Sequence, residues 1–185
     1  MIAPPRPAFT IALAAAAAAP VLRAQDFVAV RGLGQAMLPS VVHLHENDGW
    51  GGTMYLTLDG KEVLVGVFSG QDGEVTWHGP EGLNGIGKGG TLTFAFNLQS
   101  DGTYRDTFTT FVVNGSFPSP KGQLGFGTYQ GSHRIVSGTG RFANTSGNIL
   151  VTGAFVWFPL AGGTQELGYF NPEVSGVLTN VAPPE

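Results

Sequence analysis

No cysteine occurs among the 185 residues. Thiol catalysis, thiolate metal ligation and disulfide bracing are therefore excluded, and stability must come from the core alone. Charge is scarce too: 12% of residues are Asp, Glu, Lys or Arg, for a formal net charge of −4. The 9 basic residues form no cluster. An acidic chain without a basic patch is a poor ligand for phosphate backbones or anionic membranes, so no nucleic-acid partner is expected. No apolar run reaches the roughly 20 residues of a membrane-spanning helix, so no membrane insertion is expected. Beyond the first two dozen residues no stretch of useful length has helical periodicity, and no internal repeat is found.

What the chain has in abundance is glycine, 29 residues, and phenylalanine, 13 residues. Disordered chains are rich in charge and poor in aromatics, the reverse of this composition. Many short strands joined by Gly-rich turns fit it well, as in a sandwich or a barrel.

The first residues read as a targeting segment. Arg6 supplies a positive start, residues 9–19 are apolar and alanine-rich, and Ala24 is the small residue before a cut. A signal peptide over residues 1–24 implies export, to a secreted or periplasmic location. Cleavage would remove Arg6 and Arg23, leaving 7 basic against 13 acidic residues and a net charge of about −6. The remaining chain suits one domain with a sizeable core.

Strand signals follow in rapid succession. Residues 27–37 are mildly apolar and broken by Gly32, Gly34 and Pro39, which reads as an N-terminal arm (residues 25–39) or a short strand. Strands are expected at 40–46, 53–58, 62–68, 74–78, 91–98, 103–113, 133–136, 149–158, 167–170 and 174–181. Asp59-Gly60 and Ser100-Asp101-Gly102 mark hairpin turns. Residues 80–90, with five glycines and one proline, and residues 117–127 read as loops. A sheet of this many short strands has to protect its edges, and closing into a barrel removes them. One barrel domain over residues 40–181, with a short tail at 182–185, accounts for the pattern.

The most informative stretch is Arg134-Ile-Val-Ser-Gly-Thr-Gly-Arg-Phe-Ala-Asn-Thr-Ser-Gly-Asn148. Paired glycines flanking an aromatic suggest a tight crossing between strands. The segment resembles the strand–turn–strand signature of the dirigent and allene oxide cyclase-like barrels. Three further places resemble that family in order: Val41-Val-His-Leu-His-Glu46, Leu64-Val-Gly66, and the hairpin from Gly90 through Asn97 to Tyr104. Departures are Glu46 where the family pattern has Asp, Val67 where it has Arg, and a longer loop at 80–90. The resemblance implies an all-β, roughly eight-stranded closed antiparallel barrel, usually trimeric, with an interior pocket for an apolar or aromatic small molecule. It also implies cofactor-free work on the guest: cyclisation or isomerisation, or stereo-directed coupling.

Glu46 and Asp106 are the preferred acids. An enclosed carboxylate with a raised pKa exchanges protons with a phenol or enol near neutral pH. Tyr104 shares a strand face with Asp106 and would orient a substrate oxygen. Arg134, next to His133, would stabilise developing negative charge if it points inward. His45, Trp77 and Phe96 are candidate ligand-binding residues. Each has a plainer reading: solvated charges at a barrel mouth, a cross-sheet ion pair, or aromatic core. His43 and His45 share a face beside Glu46, but no second ligand motif completes a metal site, so no metal and no cofactor are assigned. Gly138-Thr-Gly140-Arg-Phe-Ala143 matches the text of a dinucleotide fingerprint, but no helix follows it to hold a pyrophosphate. Asn114 and Asn144 begin glycosylation sequons, which matter only on a eukaryotic secretory route. Three functional readings stay open: a pocket that steers chemistry, a carrier that only binds, and a filled structural barrel.

Overall fold

Burial alternates along the strands. Leu92, Phe94 and Phe96 are buried while Thr91, Thr93 and Ala95 between them are half-exposed. That period of two is what a sheet with one covered face requires. The computed structural model describes residues 27–38, 49–71, 74–78, 84–118, 125–159 and 166–184. They form β1 (Phe27–Leu38), β2 (Gly49–Leu58), β3 (Glu62–Gln71), β4 (Glu74–His78), β5 (Asn84–Lys88), β6 (Thr91–Leu98), β7 (Tyr104–Pro118), β8 (Gly125–Thr139), β9 (Ser146–Pro159) and β10 (Glu166–Thr179).

Eight of these strands close on themselves in the order β1–β2–β3–β6–β7–β8–β9–β10 and back to β1. Every pairing is antiparallel. The expected closed, eight-stranded, all-β barrel is the observed fold. β4 and β5 stand outside the ring. β5 carries on from β6 along the far half of β7, with Ile86 opposite Ser116, and β4 pairs with β5.

Four expectations about individual segments need correction. Residues 27–38 are no arm: β1 is a full wall strand, paired with β10 on one side and β2 on the other. Part of the loop expected at 80–90 is β5, and β8 begins at Gly125 rather than at His133. The two short strands expected at 167–170 and 174–181 are one strand, β10, running through Pro172. Proline has no N–H to give a ladder. Pro172 pairs with Gly153 of β9, while the β1 register skips from Glu173 to Phe170 on its other side. The proline thus sits where one ladder is already interrupted.

At one end of the barrel Asp59-Gly60, residues 99–103 and the signature make short turns. Asp59 and Gly60 both have positive φ, as a tight hairpin turn needs. The signature itself folds into a short 3-10 helix, Gly140–Phe142, between β8 and β9. Phe142 is driven back into the barrel, where its ring lies 5.0 Å from Phe108 and 6.2 Å from Phe96. Phe108 stacks on Phe94 at 4.6 Å, and Phe94 on Phe68 at 6.2 Å. From the signature to mid-height the barrel is filled by this phenylalanine column.

Candidate functional site

Among the described residues, two polar clusters lie inside the barrel wall. The first is at the signature end, around Asp106. Period two on β7 turns Asp106 and Phe108 inward, and Asp106 is only 1% exposed. Its Oδ1 accepts the backbone N–H of Arg141 at 3.1 Å, and its Oδ2 accepts the Asn97 side-chain amide. The Arg105 guanidinium lies 3.5 Å from Oδ2. Gly140, at φ +54, passes so close to this carboxylate that a Cβ would overlap it. Burial is the largest influence on the Asp106 pKa and raises it. The Arg141 N–H, the Asn97 amide and the Arg105 charge together outweigh burial, so the carboxyl lies below its ordinary value. The expectation of a raised pKa at Asp106 is thereby corrected. The group is an ionised cap for the signature turn.

Arg141, buried in the same turn, forks onto Glu62 at 2.5 and 2.9 Å. Its Nε donates to the Ala182 carbonyl at 2.9 Å. Tyr104, half-buried, stands opposite Leu98 two positions from Asp106. Phe96 is fully buried between Phe108 and Phe142, a member of the packed column.

The second cluster lies toward the other end. On β8, Tyr129, Gly131, His133 and Ile135 are buried, while Gln130, Arg134 and Val136 are exposed. Arg134 therefore stands on the outer wall, a correction to its expected place in a pocket. His133 is 1% exposed and uses both ring nitrogens. Nδ1 lies 3.1 Å from Thr110 Oγ1 and Nε2 lies 2.9 Å from the Tyr129 hydroxyl. Thr110 Oγ1 also donates to the Leu92 carbonyl at 3.4 Å. Thr110 has one proton to give, so Nδ1–H donates to Thr110 and Nε2 accepts from Tyr129; this tautomer follows from the network. Burial pushes the His133 pKa down to about 4, so the imidazole is neutral at physiological pH.

Gly131 is what lets Tyr129 reach His133 along the same strand. The phenol lies over Gly131 and a Cβ there would overlap it. Phe170 meets the Tyr129 ring edge-on at 6.0 Å, and Phe155 is buried opposite Phe170 in the register of β9 and β10. Val112, the register partner of His133, is six positions along β7 from Asp106. Thr110, which bonds His133, is four positions from Asp106 on the same strand, so at about 3.3 Å per residue the nearest members of the two clusters are roughly 13 Å apart along β7.

His45 and Glu46 lie outside the described residues, as does His43. Trp77 is on β4, opposite Gly85 and outside the ring, and its side chain lies outside the described ones. The structure thus brings Asp106 and Tyr104 to one end and leaves Arg134 outside. Tyr129 and Thr110 were not foreseen at all, and His133 was noted only as the neighbour of Arg134. The alternation Tyr129-x-Gly131-x-His133 is the signal that a known register would have made legible. Among the described residues no group of three His, Asp or Glu side chains could hold a metal ion.

No protein-family model matches this chain, and no curated protein matches it. Among solved structures it is similar to a pterocarpan synthase dirigent protein, at 12% identity over 89% of this chain and 99% of that one, with a TM-score of 0.33. The assignment of a closed barrel rests on the strand pairing itself.

Proposed function

We propose that this is an exported barrel that binds one apolar or aromatic small molecule in its interior, beside Tyr129, and orients it there. The buried chain Tyr129–His133–Thr110 is the observation that carries this reading. Taking a phenol, an imidazole and a hydroxyl out of water is costly, and apolar side chains would fill the same space at lower cost. A satisfied polar chain just beyond the phenylalanine column supports a site that recognises one polar atom on an otherwise apolar guest. Export is supported by Arg6, the apolar residues 9–19 and Ala24.

Orientation is favoured over base catalysis. A proton held on His133 at neutral pH lies about 3 pKa units uphill, or about 4 kcal/mol. Any steering of a cyclisation or coupling then follows from a fixed pose rather than from proton abstraction. The homotrimer implied by the family resemblance belongs to the same proposal. Exposed Leu33, Tyr55 and Val65, in register across β1, β2 and β3, give it an apolar outer face.

Native mass spectrometry of protein purified from its own source tests the reading. A discrete small molecule released on denaturation, and lost from Tyr129→Phe protein, is the expected result. A second reading, a structural barrel without a guest, is favoured by the phenylalanine column. It prevails if the protein is guest-free and takes up no aromatic probe.

A further inference from the structure

Glycines decide where the rings at the Tyr129 end can lie. Gly115 of β7 and Gly131 of β8 face each other across their ladder, and the Tyr129 ring covers both. The three atoms nearest to a Cβ on Gly115 would all belong to that ring: Cε2 at 2.9 Å, Oη at 3.0 Å and Cζ at 3.4 Å. Gly153 of β9 is the register partner of Tyr129, and the Phe170 ring passes over it. A Cβ there would lie 2.6 Å from Phe170 Cε2. Both rings are buried, with centroids 6.0 Å apart and planes at 77°. A ring laid on glycine backbone takes less of an interior than one held off the wall by a methyl group, and close-packed interiors register a change of that size.

We infer that this aromatic corner, seated on Gly115, Gly131 and Gly153, sets the width of the guest site and with it the preference for fused-ring over single-ring guests. The inference rests on the binding reading above. The glycines are then specificity-determining positions. A methyl on Gly115 pushes the Tyr129 ring away from β7 and narrows the site, whereas a smaller side chain at position 170 widens it. A methyl at Gly153 would also meet the Asn171 carbonyl at 2.5 Å, so the Phe170 side is tested through Phe170 itself.

The test uses 2-naphthol and phenol, which carry the same hydroxyl on two fused rings and on one. Each is titrated calorimetrically into the native protein, Gly115→Ala and Phe170→Leu, and the ratio of the two affinities is read in each. A loss of stability alone lowers both affinities together and leaves their ratio unmoved. The ratio of 2-naphthol to phenol affinity should fall about tenfold in Gly115→Ala and rise in Phe170→Leu. In either variant that folds, an unmoved ratio or a shift the opposite way overturns the inference while leaving the pocket in place. Should Gly115→Ala not fold, Phe170→Leu decides alone. Failure of both probes to bind the native protein counts against the pocket itself and removes the inference with it.

Discussion

Asp106 and Arg141 are 35 positions apart, yet the Arg141 N–H donates to Asp106 Oδ1 at 3.1 Å and fixes the signature turn to the barrel wall. A strand carboxylate here does the work that a capping side chain does at a helix start. It holds an amide that has no partner in its own turn.

The first prediction concerns that bond. Asp106→Ala strands the Arg141 N–H and the Asn97 amide in a dry site and should cost about 2–4 kcal/mol in denaturant unfolding. Asp106→Asn keeps the shape and should cost less. A change within about 0.5 kcal/mol for the alanine variant would show that the turn stands without it.

A second prediction follows from the phenol lying over Gly131. Gly131→Ala should destabilise by about 2 kcal/mol through overlap with Tyr129. In a Tyr129→Ala background the same substitution should be nearly neutral, because the overlapping group is gone. Additive losses in the double-mutant cycle would refute the packing described.

Acid should reveal His133. Its folded pKa of about 4 lies below the unfolded value of 6.5. The unfolded chain therefore takes up a proton that the folded one refuses as pH falls through that window. About 3 kcal/mol of stability should disappear between about pH 6.5 and 4, then level off. Asp106 acts in a separate window. Its folded pKa is lowered from 3.8, so its contribution is present above that value and lost as pH falls through the folded one. Unfolding free energies across pH should show the upper limb in the native protein and not in His133→Gln.

Arg141 ties the chain end to the same turn. Its backbone carbonyl accepts from Ala182 N–H at 2.9 Å while its Nε donates to the Ala182 carbonyl. Arg141→Lys keeps the charge but loses the fork onto Glu62 and should cost about 1–2 kcal/mol. Hydrogen exchange at the Ala182 amide should quicken in that variant. Unchanged protection there would separate the tail from the Arg141 side chain.

Much of the architecture was legible in the sequence because the turns are written in residues with narrow options. Asp59-Gly60 demands a hairpin, and Gly140 with Phe142 demands a sharp return into the core. β1 and β5 were hidden by their own glycines. Gly32, Gly34, Gly85 and Gly87 weaken local strand signals, and only pairing with neighbours makes those segments strands. The interior site was hidden for a different reason. One step of register separates Arg134 from His133 and exchanges inside for outside. Asp106 is a buried carboxylate whose hydrogen bonds come in part from a turn far along the chain, and those partners hold its pKa down where burial alone would raise it.

The pairing of β1 with β10 sets the order in which this protein can fold. Phe27 stands opposite Thr179, so the ring is closed by strands from the two ends of the described chain. A chain emerging from its amino terminus cannot complete that ladder until β10 has followed. Until then β1 keeps one edge unpaired, the kind of surface on which incomplete sheets associate. Folding is therefore expected to be slow and to finish only after β10 has emerged. Loss of a few residues from either terminal strand would open the same seam, so the two ends share one point of failure.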